Sequence, residues 1–147
     1  MGRGLDGDGA KQLVCAAVIE RDGRFLLGKR SPAKRSAPGV WHAICGRLEP
    51  GESEAECVER EVREETGLRV RATERVWLAD TRDGTARIHW WRVQTLDQRP
   101  AELLQNEHSE LRWVNLAEMR HLQPVFAEDI QLFARLSGET EPDTRGS

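Results

Sequence analysis

Residues 46–68 read GRLEPGESEAECVEREVREETGL, and this stretch governs how the rest of the chain is interpreted. It predicts a glycine-bearing loop that leads into one helix. Ser53 is a favourable N-cap because its hydroxyl can accept a bond from a free amide of the first turn, and Glu56 completes a capping box. Gly67 marks the expected end of the helix, because glycine adopts the left-handed conformation at little cost.

Three glutamates of this helix, Glu61, Glu64 and Glu65, are spaced so that they share one face. Like charges repel on a shared face unless the face is solvated or binds hard cations. Carboxylate oxygens suit Mg²⁺, which keeps several waters and is completed by substrate phosphates. A solvated acidic face is the alternative. Val58 and Val62 form an apolar stripe that is expected to pack on a sheet, and Glu64 and Glu65 are expected to face outward.

The whole stretch resembles the Nudix box, the signature of hydrolases that act on nucleoside diphosphates linked to another group. The residues at its fixed positions are Gly46, Glu52, Arg60, Glu61, Val62, Glu64, Glu65, Gly67 and Leu68, and no required position departs from the pattern. A pattern this long, with fixed spacing in a loop-helix context, is a specific signal. The resemblance implies an α/β fold: an α/β/α sandwich with a mixed sheet between helices and the box helix packed on one side.

Strand and helix signals on both sides of the box predict one domain over residues 12–138, flanked by flexible tails at 1–11 and 139–147. Strands are expected at residues 13–19, 24–29, 40–45, 69–79, 87–96 and 111–114, with a polar loop at 98–109. Two helices are expected after the box helix, one capped by Asn115 and the last opening at Pro124. This order also indicates a mixed sheet between helices.

The composition limits the class of protein. The 147 residues are 32% charged and 38% hydrophobic, which is typical of a globular domain. The net charge of -3 provides no basic field that would attract nucleic acid. No apolar run approaches membrane-spanning length. The three cysteines form no CxxC pair, which favours reduced thiols and a cytoplasmic location over a disulfide framework.

The resemblance also implies roles for the box residues. The implied ligands of a divalent ion, Mg²⁺ or alternatively Mn²⁺, are the carboxylates of Glu61, Glu64 and Glu65 and the backbone carbonyl of Gly46. Arg60 is implied to hold and orient a neighbouring glutamate, Glu52. Divalent ions can neutralise phosphate oxygens, lower the pKa of an attacking water and stabilise a leaving phosphate.

A further ligand or base is expected from the loop before the last strand. MutT-type relatives place a glutamate there, six residues before a tryptophan, and Glu107 and Trp113 keep that spacing. Glu110 is the rival, and a plain surface charge is the alternative for Glu107. The general base is left open among Glu61, Glu65 and Glu107.

Basic residues are expected to meet the phosphates of the substrate. Arg30 lies at the end of the second predicted strand, and Lys34 follows in the loop, so these two are the best placed. Solvated surface charge is the alternative for both, and it weighs more for Lys34.

One departure from the hydrolases concerns Cys45, because Pro-Gly usually precedes the box glycine. The run from Arg30 to Gly46 resembles the isopentenyl diphosphate isomerases, whose cysteine at this place is catalytic. Those isomerases have a histidine metal ligand two residues later, where this chain has Arg47. They also degrade the glutamate set that is complete here. Cys45 is therefore interpreted as a small, buried packing residue.

The leading hypothesis is a metal-dependent pyrophosphohydrolase that cleaves a diphosphate linkage in a nucleoside diphosphate derivative, such as a nucleoside triphosphate or modified dNTP. An isomerase-like enzyme and a non-catalytic nucleotide sensor are the alternatives. The expected partner is a small-molecule nucleotide or other diphosphate, with neither nucleic acid nor membrane involved. Relatives often dimerise, so a homodimer stays open.

Overall fold

The computed structural model describes residues 11–35, 37–81 and 83–138. Its strands are β1 (Gln12–Arg21), β2 (Arg24–Arg30), β3 (Trp41–His42), β4 (Cys45–Arg47), β5 (Val70–Asp80), β6 (Ala86–Thr95) and β7 (His108–Val114). Its helices are α1 (Glu54–Thr66), α2 (Leu116–His121) and α3 (Ala127–Leu136). Apart from Lys11, the predicted tails at 1–11 and 139–147 lie outside the described residues.

The seven strands form one mixed sheet. Its main path runs β3-β2-β1-β6-β5, with β4 paired to β1 and β7 paired to β2. The pairing of β1 with β6 is parallel, and the others are antiparallel. A continuous apolar run makes β1 a central strand, since a strand covered on both faces is apolar throughout.

The predicted single strand at residues 40–45 is wrong, because two short strands occupy this region. β1 and β2 are paired only beside their hairpin turn, at Glu20–Phe25 and Arg21–Arg24, and then diverge. β3 pairs with β2, whereas β4 pairs with β1, so the two short strands lie on different partners where β1 and β2 have separated. The chain therefore changes partner at residues 43–44, and this change delivers Gly46 to the edge of β1.

Side chains of β1 alternate between two hydrophobic cores. Cys15, Ala17 and Ile19 join Val58 and Val62 of α1 in one core. The alternate residues between them, Ala16 and Val18, pack with Phe133 of α3 on the opposite face. Helices thus cover both faces of the sheet, and the predicted α/β/α sandwich is confirmed.

Helix α1 has the predicted ends. The Ser53 hydroxyl accepts a bond from the Glu56 amide at 3.1 Å, and the Glu56 carboxylate accepts one from the Ser53 amide at 2.9 Å. Gly67 has φ 75° and donates its amide to the Arg63 carbonyl. Asn115 caps α2 in the same reciprocal way with Glu118.

Two other elements begin more than two residues away from their predicted starts. β7 begins at His108, inside the predicted polar loop, because His108 pairs with Arg30 of β2 and its side chain is buried. The last helix begins at Ala127 instead of Pro124, with Phe126 as its N-cap residue. Among the described residues, no helix is long and apolar enough to cross a membrane.

Candidate active site

The three glutamates of α1 do share one face, but that face is only partly open to solvent. The side chain of Glu64 is 41% exposed, that of Glu61 is 14% exposed, and that of Glu65 is 4% exposed. The expectation that Glu65 faces outward is therefore wrong. The last turn of α1 brings the Glu65 side chain against His108 of β7, where both side chains are buried.

Arg60 connects several carboxylates at one end of this face. Its Nε and Nη2 donate to both oxygens of Glu52, at 2.6 and 3.1 Å. Its Nη1 donates to Glu61 at 2.9 Å and to Glu64 at 3.2 Å. The predicted contact between Arg60 and Glu52 is thus present as a bidentate ion pair. Hydrogen bonds from Arg60 lower the pKa of Glu52 to about 2.

Glu61 and Glu65 form a close carboxylate pair on the sheet side of the helix. Burial, together with the hydrogen bond and charge of Glu65, raises the pKa of Glu61 to about 8, against the opposing effect of Arg60. Burial also raises the pKa of Glu65, and the charge of Glu107 adds to this effect. Two carboxylates so placed resist ionising together, and one proton can be shared between them.

Gly46 brings the backbone of β4 directly against Glu61. A Cβ atom at this position would lie 2.0 Å from the carboxyl carbon of Glu61. Any other residue would therefore displace the Glu61 side chain. The requirement for glycine is one of close approach, since the φ angle of Gly46 is not in the left-handed region.

Glu107 and Lys34 meet across two loops at the other end of the site. The Lys34 ammonium donates to Glu107 at 2.5 Å, and the Ser31 amide donates to the Glu107 carbonyl at 3.0 Å. The hydrogen bond from Lys34 lowers the pKa of Glu107. The rival carboxylate, Glu110, instead accepts a bond from Arg112 at 2.6 Å.

Arg30 ends β2 opposite His108 and acts electrostatically on this end of the site. Burial and the charge of Arg30 together lower the pKa of His108 to about 4. The charge of Arg30 also contributes to the lowered pKa of Glu107. The structure therefore brings Arg30, Lys34 and Glu107 together near Glu65.

His108 is a residue of this site that sequence reasoning treated as ordinary. Its Nδ1 lies 3.2 Å from Oε1 of Glu65, and its side chain is 6% exposed. The available signals were its position next to Glu107 and the glycine inside β2, because a glycine within a strand often marks a close approach. Neither signal named the partner, since Glu65 is distant in sequence.

Cys45 is half-buried, so the prediction that it is buried is wrong. Its Sγ lies 3.8 Å from Nδ1 of His42, and Nε2 of His42 lies 3.4 Å from Asp129. These contacts place Cys45 against the α3 side of the sheet, whereas Glu61 and Glu65 belong to α1 on the other side.

In this arrangement, no three acidic, histidine or cysteine side chains of the described residues converge on a point suited to a metal ion. Two basic side chains bind the glutamate carboxylates in this arrangement. Arg60 Nη1 bridges Glu61 and Glu64, and Lys34 binds Glu107. A divalent ion would compete with these cations for the same oxygens.

The donor groups nevertheless fit a hard divalent cation. All are oxygens, which Mg²⁺ and Mn²⁺ prefer. Oε1 of Glu65 is buried and has no hydrogen-bond partner among the described residues. The raised pKa values of Glu61 and Glu65 reflect a negative charge that the protein compensates poorly. A nearby cation would stabilise that charge.

The sandwich, the loop-helix stretch and the clustered carboxylates together define a hydrolase of the Nudix family, and the chain belongs to it. The family model for the NUDIX domain matches residues 11–136. The chain is 36% identical over 122 residues to a CTP pyrophosphohydrolase of Escherichia coli (strain K12), covering 81% of this chain and 86% of that protein.

Two solved structures are similar over nearly the whole chain. The MutT protein of Methanosarcina mazei Go1 superposes with a TM-score of 0.75 at 26% identity, covering 90% of this chain and 96% of the other. The E. coli ORF135 protein superposes with a TM-score of 0.68 at 30% identity, covering 92% and 94%. The prediction of a Nudix hydrolase is confirmed.

Proposed function

We propose that this chain is a divalent-metal-dependent pyrophosphohydrolase that cleaves a diphosphate linkage in a nucleoside triphosphate or a modified dNTP. The observation that carries the proposal is the buried carboxylate pair of Glu61 and Glu65, held against the backbone of Gly46. When bound, Mg²⁺ or Mn²⁺ would neutralise phosphate charge and lower the pKa of the attacking water.

The proposed ligands are the carboxylates of Glu61, Glu64, Glu65 and Glu107 and the carbonyl of Gly46. Arg60 would fix the box loop through Glu52 and keep Glu61 and Glu64 in reach of the ion. Glu61, Glu65 and Glu107 are the candidates for the residue that accepts a proton from the attacking water.

Arg30 and Lys34 are the proposed contacts for the phosphates of the substrate. Both are cationic and lie at the Glu107 end of the carboxylate face. Lys34 is held by Glu107, so a phosphate would take the place of this carboxylate on the ammonium. Arg30 would add a second positive charge, which suits a substrate that carries several negative charges.

The choice of nucleotide is supported by the similarity to the E. coli CTP pyrophosphohydrolase, which covers most of both chains. The complete glutamate set argues against the isomerase, as does Arg47 at the place of a histidine ligand. We further propose a cytoplasmic location, a small-molecule substrate and no nucleic-acid partner, in line with the net charge of -3.

The direct test is a screen of purified full-length protein against nucleoside triphosphates, modified dNTPs and isopentenyl diphosphate, with products resolved by mass. We expect metal-dependent cleavage between phosphates, with a monophosphate and pyrophosphate as products. Isomerised isopentenyl diphosphate would instead support the isomerase. Tight nucleotide binding without cleavage would support the sensor.

Two variants test the ligand assignment. Glu64→Gln and Glu65→Gln each remove one carboxylate charge with little change in shape. We expect each to lower kcat/KM at least about 100-fold, equivalent to about 2.7 kcal/mol. Glu74→Gln is the matched control, because Glu74 is an exposed carboxylate on β5. Near-normal turnover in both box variants, with metal binding intact, would contradict the assignment.

A further inference from the structure

We propose that His108 is a positioning residue, whose ring holds the carboxylate of Glu65 in place for the metal ion. This inference rests on the proposed function, because it assigns a role within the same site. Four observations carry it: the contact itself, the missing partner of Glu65, the space left by a glycine, and an irregularity in the strand pairing.

The contact joins two buried polar side chains from elements that are distant in sequence. Nδ1 of His108, in β7, lies 3.2 Å from Oε1 of Glu65, in α1. This approach does not meet hydrogen-bond geometry, and Oε1 has no hydrogen-bond partner in the described part of the chain. The imidazole is thus the polar group in position to orient this oxygen. A small rotation of either side chain would complete the bond.

The space for the ring is provided by Gly28 in β2. A Cβ atom at this position would lie 2.5 Å from Cδ2 of His108 and 2.8 Å from both Cγ and Nε2. Any larger residue would therefore push the ring away from β2. A glycine inside a strand weakens the strand, which is a cost that close packing of this kind offsets.

The pairing of β2 with β7 is irregular where the ring is placed. The register shifts between Lys29 and Arg30, and His108 is paired with Arg30 immediately after the shift. Irregularities of this kind re-aim side chains and occur often beside active sites. Here the adjacent side chain of Glu107 binds Lys34, while that of His108 lies over Gly28.

A simple packing role explains these features less well. The site is buried between α1 and the sheet, and an apolar side chain of similar shape would fill it without burying ring nitrogens. In the described part of the chain, the ring makes no hydrogen bond and has no ion-pair partner other than Glu65. Nδ1 of His108 is therefore directed at the carboxylate of Glu65 and not at a structural partner.

The test measures Mn²⁺ binding to the purified full chain without nucleotide, by titration calorimetry and electron paramagnetic resonance. Groups that hydrogen-bond to metal ligands and orient them typically contribute about 10-fold to 100-fold in metal affinity. We expect His108→Phe, which keeps the ring shape and loses both nitrogens, to raise the Kd for Mn²⁺ about 10-fold or more. His108→Asn, whose amide nitrogen can replace Nδ1, should restore most of the affinity.

His121→Phe is the matched control, because His121 is an exposed histidine of α2. Its Kd for Mn²⁺ should equal that of the unmodified chain. Gly28→Ala provides a second perturbation, since it displaces the ring without changing its chemistry, and should also weaken binding. Circular dichroism melts establish that each variant is folded before binding is compared.

Two outcomes would overturn the inference. One is an unchanged Kd for Mn²⁺ in folded His108→Phe, and the other is equal weakening in His108→Phe and His108→Asn, which would indicate shape alone. Turnover of nucleotides by the unmodified chain tests the proposed function separately. A chain that binds Mn²⁺ through the box without cleaving any diphosphate would refute that function and leave the His108 comparison valid.

Discussion

Arg60 illustrates how one residue can organise a charged site. It is the most connected side chain of the box, with bonds to Glu52, Glu61 and Glu64, and it is only 16% exposed on its side chain. A planar guanidinium can serve several carboxylates at once, which a lysine cannot do in the same geometry. Arg60 therefore offsets part of the repulsion among the glutamates before any metal binds.

The ion pair of Arg60 with Glu52 predicts a pH dependence of stability. The pKa of Glu52 falls from 4.5 to about 2 in the folded protein. A lowered carboxyl pKa stabilises the fold above the unfolded value, and this stabilisation is lost as the pH falls through the folded value. The difference in unfolding free energy between the unmodified chain and Glu52→Gln should be constant above about pH 5 and shrink toward pH 2.

Urea unfolding at a series of pH values measures this difference. Glu74→Gln serves as the control, because it changes an exposed carboxylate of β5 outside the box. A difference that grows as the pH falls below 4.5 would contradict the role of Arg60 in holding Glu52 ionised.

The burial of Glu65 leads us to expect that this residue lowers stability while it serves the proposed function. Its carboxylate is buried, and burial raises its pKa, so the charged form destabilises the fold at neutral pH. Glu65→Gln should therefore increase the unfolding free energy by about 1 kcal/mol, or Tm by about 3 °C, while activity is lost. Thermal melts at pH 7 without divalent metal would measure the gain, and a large decrease in Tm would contradict it.

At the scale of elements, the site depends on how closely β4 approaches α1. The Ser53 cap, the Gly67 stop and the apolar residues Val58 and Val62 fix the helix on the sheet. Gly46 then allows the strand backbone to lie against Glu61. The proposed metal site thus requires a helix face and a strand edge to be placed together.

Gly46→Ala tests this approach. The atoms nearest to the added methyl group belong to the flexible end of Glu61, so the fold should tolerate the change while the carboxylate is displaced. We expect Tm within about 2 °C of the unmodified chain and at least about a 10-fold loss of metal affinity and turnover.

Gly23→Ala is the matched control for this substitution. Gly23 lies in the hairpin turn between β1 and β2 with φ 77°, and an added methyl group would contact nothing within 4 Å. It should cost about 1–2 kcal/mol in stability through backbone strain, with metal affinity unchanged. Full metal affinity in Gly46→Ala would show that close approach at Glu61 is not required.

At the scale of the whole molecule, the sheet brings together candidate site residues from distant parts of the chain. The loop that carries Lys34 leaves β2, whereas Glu107 immediately precedes β7, the neighbour of β2 in the sheet. The segment before β7 is also tied to α1, because the amides of Glu102 and Leu104 donate to carbonyls of its last residues, Thr66 and Glu65. The helix and both loops therefore form one connected unit.

This connection predicts that divalent metal stabilises the whole fold. An ion that binds only the folded chain at 100 times its Kd adds about 2.7 kcal/mol to the unfolding free energy. Addition of Mg²⁺ or Mn²⁺ should raise Tm, and a chelator should reverse the change. Glu64→Gln should show a smaller shift than Glu74→Gln, and equal shifts in the two variants would place the ion outside the box.

Much of the site was predictable because its signals are local in sequence. The capping box, the stop at Gly67 and the shared face of Glu61, Glu64 and Glu65 depend only on helical spacing, and the structure has them all. The order of strands and helices likewise indicated a mixed sheet between helices. The sequence alone therefore determined the helix, its charged face and the class of fold, since these depend on neighbours within a few residues.

Only the tertiary structure decided which strands lie beside that face and which of its glutamates are buried. The split of residues 40–45 into β3 and β4 follows from the divergence of β1 and β2, which no local pattern records. The burial of Glu65 beneath His108 follows from where α1 crosses the sheet and from the space at Gly28. These features arise from contacts between residues far apart in the chain, and burial, which sets their pKa values, exists only after the elements have packed.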